Sequence, residues 1–350
     1  MEEETMAIAR TLKHLVAGAV IGLAALGVAH AEEWKFAVEE GPGDVQTLYA
    51  EQFKKLVEQR SQGKVKVTIY TYGQLGNEND LTELTASGAI QFSNASPGHL
   101  GTFVPEVQIL SLPFLLPESV TAKGEILSNS KALYGSLAKD FTAKGLKLFT
   151  IYPEGEMIWT TKKTVRKPAD LGDVKFRVMT SPILIEQFKL YGANPVALPW
   201  GEVYGGLQMN VIQAQVNPAF FIESAKFHEV TDHLIYVGDV EYTTTVVANA
   251  DFYESLPAER KKMLDEVRSE LQQYIVKTER EKNAAAVDKM LKDNPKLKVV
   301  KLTDAEREVF RKRAEPLGQK LVAMVGGRAG EILKQLKAEI QTANTQVGAK

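Results

Sequence analysis

The chain has no cysteine among its 350 residues. That excludes disulfides, thiolate nucleophiles and zinc–thiolate sites together, and it suits an oxidising compartment without proving one. Histidine is scarce: five in all, of which only His99, His228 and His233 lie beyond the first 31 residues. His228 and His233 bracket Glu229, but they are separated by five positions where a helical zinc pair needs four. On a helix they would point about 140° apart, so they read as ordinary surface histidines. Net charge is nearly absent as well, at −2. The bulk electrostatics therefore give no case for nucleic acid or an anionic membrane. A phosphate-binding glycine loop, a dinucleotide fingerprint and a nucleophile elbow are all missing, and the acidic residues are scattered rather than paired for acid–base work. Nothing calls for catalysis, a cofactor or a metal.

What is present begins with an export leader. Arg10 and Lys13 precede an apolar run from Leu15 to Val28, followed by Ala29-His30-Ala31 and then Glu32-Glu33. A basic segment, a short apolar segment and a small-x-small site make a secretory signal peptide over residues 1–31, with cleavage after Ala31. The acidic Glu2-Glu3-Glu4 does not suit such a leader, and Met6 would give a cleaner start. No later stretch is long and apolar enough to cross a bilayer.

The remainder alternates between strand and helix. Trp34–Val38 reads as a strand broken by Gly41-Pro42-Gly43. Val45, Leu48, Tyr49, Phe53, Leu56 and Val57 recur at helical spacing, and Val65, Val67 and Ile69 alternate on one strand face. A helix from about Glu78 to Ser87, a strand Ala89–Ala95, a helix over Ser119–Lys144 and a strand Leu146–Tyr152 follow. Beyond Pro168 and Gly172 come strands Val174–Val178, Val196–Leu198 and Val211–Val216, with helices near Ser181–Tyr191 and Gly201–Met209 between them. The class is α/β with a mostly parallel sheet, and a second α/β unit begins near residue 153. Gly88-Ala89-Ile90-Gln91-Phe92 and Asn210-Val211-Ile212-Gln213-Ala214 each close a helix and open a strand, with Gly88 and Asn210 suited to a left-handed cap; two lobes of related topology facing a cleft would explain the pair.

From Ala258 to Asn294 there is neither Gly nor Pro, and Pro257 stands where a first-turn proline is tolerated. Met263, Leu264, Val267, Leu271, Tyr274 and Ile275 form an apolar stripe. A continuous helix would be roughly 50 Å long and would run along both lobes as a spine; two helices broken near Lys277–Lys282 are the alternative. Thr303 and Glu306 form a capping box for a last helical region, whose Phe310, Leu317, Leu321 and Val325 should dock on the second lobe.

One ordered set of motifs is specific. Lys167-Pro168-Ala169-Asp170-Leu171-Gly172-Asp173-Val174-Lys175-Phe176-Arg177-Val178 is followed by Pro199-Trp200-Gly201-Glu202-Val203-Tyr204, then Leu207-Gln208 and Gln215-Val216-Asn217-Pro218. The first half adds Gln74-Leu75-Gly76 and Leu112-Pro113-Phe114-Leu115. From about residue 34 to 340 this resembles the DctP-type solute-binding receptors of TRAP (tripartite ATP-independent periplasmic) transporters. The resemblance implies two α/β lobes with a ligand cleft between them, a long helix spanning both, and a periplasmic location. Lobe I would comprise 32–153 plus about 244–275, and lobe II 154–243 plus about 276–345. It implies a receptor, not an enzyme, that passes an organic acid to small and large integral-membrane subunits, and that can act as a monomer.

By the same resemblance Arg177 takes the ligand carboxylate, a role that suits a planar guanidinium able to bond both oxygens. Asn217 contacts the ligand near the hinge, and Trp200 offers an aromatic wall. Glu39 and Ser96, after the first and third strands, face the cleft, and Glu241 and Tyr242 stand at the return crossing between lobes. Where many relatives carry a second basic residue, this chain has Met157, with Glu156 before it. One arginine with added apolar groups favours a monocarboxylate with an uncharged or apolar body. A C4-dicarboxylate is the alternative, since Glu39 and Glu156 would repel a second carboxylate, and a sulfonate could also satisfy Arg177. A sensory role, as ligand-binding partner of a membrane kinase, uses the same fold. A secreted hydrolase or lyase would need a nucleophile or acid–base pair that the sequence does not provide.

Overall fold

A computed structural model describes residues 31–348, with side chains to residue 346. The expected leader and its cleavage site, residues 1–30 and the bond after Ala31, lie outside or at the edge of the described residues. Among the described residues nine strands form: β1 (Glu32–Ala37), β2 (Val65–Tyr70), β3 (Phe92–Ala95), β4 (Leu146–Thr161), β5 (Lys175–Val178), β6 (Asn194–Ala197), β7 (Ala214–Asn217), β8 (His233–Asn249) and β9 (Lys298–Lys301). They form one sheet in the order β2-β1-β3-β8-β4-β7-β5-β6, with β9 alongside β8. The mixture of parallel and antiparallel pairs in one sheet reflects the two long strands. β4 and β8 run antiparallel through its centre; β3 pairs antiparallel with β8, and β7 with β4, whereas β1–β2, β1–β3, β5–β6 and β5–β7 are parallel.

Those two long strands join the lobes. Residues 245–248 of β8 pair with β3 in lobe I, and residues 158–161 of β4 pair with β7 in lobe II. Between these zones the β4–β8 register slips at Leu148/Thr150, Pro153/Gly155 and Glu156/Ile158. Such irregularities bend strands and interrupt the ladder, so the crossing point is built to hinge. The passage between lobes thus falls inside a strand rather than in a linker.

Local signals account for most element ends. Gly88 (φ 82°) and Asn210 (φ 59°) both adopt the left-handed conformation their positions called for. Thr303 and Glu306 form the expected reciprocal cap, and Asn77 with Asp80 makes another at the start of Glu78–Ala86. The expected strands at Ala89 and Val211 start later, at Phe92 and Ala214, because the chain turns before it pairs. The expected helix over Ser119–Lys144 is broken: Val120–Asn129 ends, and a π-helical turn Ala132–Leu137 leads into Ala138–Thr142. The cause is Ser130, whose extended backbone and hydroxyl accepting from the Leu133 N–H start a new helix.

The spine is one helix, Ala258–Asp293, of 36 residues, about 54 Å at 1.5 Å per residue; the two-helix alternative is ruled out. It buries Met263, Leu264, Val267, Leu271 and Ile275. Gln272 Nε2 donates to Thr150 Oγ1 and the Ile151 carbonyl of β4. Asn283 ties it to the hinge, and Lys289 pairs with Glu223 of the helix after β7 at 2.9 Å. Phe310 packs on Trp159 and Tyr191 as expected for lobe II. The last helix, Gly327–Gly348, instead packs back on residues 130–140, which the sequence reading gave to lobe I: Glu339 bonds Ser130 and the Ala132 N–H, and Arg328 pairs with Asp140. Its buried Ala329, Ile332, Leu333, Leu336 and Ile340 supply the apolar reason.

Candidate functional site

Loops and strand ends from both lobes converge on one narrow cavity. Lobe I contributes Glu39 and Glu40 just beyond β1, Gln46 in the first turn of Val45–Arg60, Glu78, and His99 in the short helix after β3. Lobe II contributes Arg177 on β5, Met179 beyond it, Trp200, Asn217 at the end of β7 and Phe221. Tyr242 enters from the crossing strand β8. Strand ends in open α/β sheets present such crevices because the connecting loops there diverge.

Arg177 is 2% exposed. Its Nε donates to the Leu198 carbonyl at 3.0 Å, and its Nη2 is buried without any partner. The guanidinium carbon lies 6.0 Å from the Trp200 ring centre. Burial lowers its pKa to about 10, with Glu78 opposing the shift, so it stays cationic at neutral pH. A buried donor without a protein acceptor is costly by itself and favours an incoming anion.

The facing wall is acidic. Glu39 Oε2 accepts from the Ser96 N–H at 2.9 Å, and the Glu39 N–H donates to Gln46 Oε1 at 2.9 Å. Its Oε1 is buried and unpartnered. Burial, and then the charge of Glu78, push its carboxyl up to about 8. Glu78 is itself raised by burial. Its Oε1 lies 3.8 Å from His99 Nε2, yet burial and the nearby Arg177 lower that imidazole to about 3. His99 is therefore neutral, and Arg177 is the one cation among the lining residues. The third wall is aromatic. Trp200 stacks on Phe221 with ring centres 3.9 Å apart and 14° between planes, and Phe227 supports it from behind at 5.1 Å. Asn217 donates to Gln215, whose amide in turn donates to Thr160, so its orientation is fixed from below.

The lobes touch at the cavity rim through glycines. A Cβ on Gly98 would come within 2.3 Å of Met179 Cε, and one on Gly201 would stand 3.7 Å from the Tyr72 hydroxyl. The seam is therefore backbone against side chain.

Of the residues singled out in the sequence, Glu39, Arg177, Trp200, Asn217 and Tyr242 line this cavity together. Ser96 stands behind Glu39 and holds it through its backbone. Two do not reach the cavity. Met157 is buried in the large apolar core that also holds Trp159 and Val237. Glu241 points to the opposite face of the hinge, where it pairs with Lys123 in a separate groove. The physical reason is parity: Glu241 and Tyr242 are adjacent on a strand and must face opposite ways. Glu40, Gln46, Glu78, His99, Met179 and Phe221 were not anticipated. The pair of consecutive acids Glu39-Glu40 before Gly-Pro-Gly was the one visible signal among them.

Among the described residues no helix is long and apolar enough to cross a membrane, and no cluster of acids and histidines could hold a metal ion. Residues 36–324 match the family model for bacterial extracellular solute-binding protein, family 7 (DctP). The ectoine/5-hydroxyectoine-binding periplasmic protein UehA of Ruegeria pomeroyi is 41% identical over 94% of this chain and 97% of its own length. The ectoine-binding periplasmic protein TeaA of Halomonas elongata is 36% identical over 95% of this chain and 98% of its own. The solved structure of that ectoine-binding protein superposes with a TM-score of 0.85, covering 89% of this chain and all of the other. A TRAP periplasmic solute-binding protein from Desulfovibrio salexigens, with bound orotic acid, superposes with a TM-score of 0.83 at 30% identity, over 89% of this chain and 99% of the other.

Proposed function

The chain belongs to the DctP family of bacterial extracellular solute-binding proteins, the receptors of TRAP transporters, and from that premise we propose that it captures ectoine or 5-hydroxyectoine. Ectoine is a small ring bearing one carboxylate and one delocalised amidinium charge. The observation that carries the reading is the pairing, in one cavity, of an unpartnered Arg177 Nη2 with an unpartnered Glu39 Oε1. The first suits the carboxylate and the second an amidinium N–H. Charge-assisted bonds of this kind are worth roughly 1.5–3 kcal/mol each. The Trp200–Phe221 wall presents a π face to which a flat cation is drawn.

The earlier preference for an uncharged ligand body gives way here. One carboxylate remains, but the rest of the molecule carries a positive charge, whose approach favours the ionised form of a Glu39 that burial otherwise keeps protonated at neutral pH. A C4-dicarboxylate fits poorly: its second carboxylate would meet Glu39, Glu40 and Glu78 with no second cation lining the cavity. The relatives named above as ectoine-binding support the same choice. In this reading the leader directs export with cleavage after Ala31, the lobes divide as the family fold implies except that the last helix returns to lobe I, and a monomer delivers the ligand to the two membrane subunits.

Calorimetry tests the assignment. Ectoine and 5-hydroxyectoine should bind the wild-type protein, and succinate and orotate should bind far more weakly or not at all. Tight succinate binding with no response to ectoine would overturn it.

A further inference from the structure

Two acids at the base of the cleft have too few donors. Glu40 follows Glu39 in the loop after β1. Glu154 stands on β4 where that strand passes between the lobes, beside the register slip at Pro153/Gly155. They are 1% and 0% exposed. For four carboxyl oxygens the protein supplies two N–H groups, both from Gln46. Its backbone N–H donates to Glu40 Oε2 at 2.8 Å, and its side-chain Nε2 donates to Glu154 Oε1 at 3.2 Å. The other two oxygens, Glu40 Oε1 and Glu154 Oε2, are buried without a partner, although the shared Gln46 brings the two carboxyl groups side by side.

Arg177 lines the same cavity as Glu40, but among the described residues no cation bonds either acid of the pair. Glu39 comes from the same loop, and Asp44 from the start of the first helix. Tyr49 and Tyr152 stack at 4.6 Å on one side. Tyr242 faces the pair from β8, and Thr244 from the same strand accepts from Gln46. From the spine, Asn283 donates to the Glu154 carbonyl, while Lys282 acts on Asp44. Two buried anions in contact cannot both persist, and an acceptor facing an acceptor is missing one hydrogen.

We propose that Glu40 and Glu154 hold a single proton between them, and that this shared proton latches the loop after β1 to the hinge strand. With the proton in place the two carboxyls form one short bond across the base of the cleft. When it leaves, two anions repel at the point where Gly155 (φ 120°) and the slipped register let β4 bend. Closure of the lobes then depends on protonation of the pair. Burial drives this, and it pushes Glu154 up to about 7 and Glu40 well above the ordinary carboxylate range. The proton is lost in a step that belongs to the pair rather than to either residue.

The test uses ligand-free protein, so it stands or falls apart from the ligand assignment. Infrared difference spectra in the protonated-carboxyl C=O region compare wild type with Glu40→Gln, Glu154→Gln and Glu39→Gln at neutral pH. A shared proton predicts that Glu40→Gln and Glu154→Gln each abolish the same band, and that Glu39→Gln leaves that band in place. Two separate bands, or none, would overturn it. The absence of native cysteine allows Glu83→Cys and Met209→Cys, both exposed, to carry fluorescent labels on opposite lobes. Raising the pH through the titration should lengthen the interlobe distance in the otherwise wild-type protein and leave it unchanged with Glu154→Gln, where an amide donates without a titrating proton. An equal response in both proteins would reject the latch.

Discussion

Arg177 combines almost complete burial with a free Nη2, so its loss removes the anion's partner without removing a structural bond other than that to Leu198. Arg177→Ala should weaken ectoine binding by about 2–5 kcal/mol, in the range for truncating one side of a buried charge pair, while thermal unfolding of the ligand-free protein stays close to wild type. Calorimetry and a melting curve on the same sample check both halves. Glu39→Gln should weaken ectoine while leaving a simple monocarboxylate such as acetate unaffected, since an amide cannot give up a proton to balance the amidinium charge; equal losses for both would show that Glu39 holds the pocket's shape instead. Arg177 and Asn217 were legible because they sit inside an ordered run of motifs. Gln46, Glu78 and His99 were not, because each also has a place in a helical turn and local pattern alone cannot separate the two uses. Met157 and Glu241 misled for a different reason: a register slip and strand parity decide which way a side chain faces, and neither is visible without the pairing partner.

Among elements, the spine helix was the most legible, since 36 residues without Gly or Pro leave few alternatives. What the sequence concealed is how the spine grips the hinge. Asn283 donates to the Glu154 carbonyl at 2.8 Å and accepts from the Phe220 N–H at 3.2 Å, so one side chain links helix, crossing strand and lobe II. Asn283→Ala would strand both groups and should cost about 1–3 kcal/mol, measured by denaturant unfolding; an unchanged midpoint would mean that the link is redundant. Gly155 lies against the same amide, 2.4 Å from where a Cβ would sit, so Gly155→Ala should destabilise at least as much. The broken helix near Ser130 escaped the sequence reading because Asn129 and Ser130 are tolerable within a helix, and the tertiary bond from Ser130 to Glu339 joins the local cap in fixing the interruption.

For the whole molecule, several carboxyls are carried well above their unfolded values. Glu39 rises from 4.5 to about 8, Asp239 from 3.8 to about 7 and Glu279 from 4.5 to about 7, in each case chiefly by burial. Folded protein thus holds protons that the unfolded chain has released. The stability these groups confer is full below their unfolded pKa and is lost as pH rises through the folded one, by up to about 1.4 kcal/mol per pH unit for each proton. Melting temperature should fall from pH 5 to pH 9, and Asp239→Asn should flatten part of that slope. Saturating ectoine should raise stability by about 2.7 kcal/mol at a hundredfold excess over the dissociation constant. The two-lobe architecture was legible from the alternation of helix and strand and from the motif order. That all nine strands of the described residues form a single sheet was not, because of the two strands that unite the halves only Leu146–Tyr152 reads as a strand.

The glycine seam at the rim sets a limit on cargo. Where Gly98 meets Met179 and Gly201 meets Tyr72, only the Met179 and Tyr72 side chains can give way, since the glycine side of each contact is backbone, so a molecule thicker than that give acts as a doorstop. Discrimination by girth would then operate at the lip of the clamshell, before any charge on the guest is inspected, and would admit flat rings while turning away bulkier solutes of the same polarity.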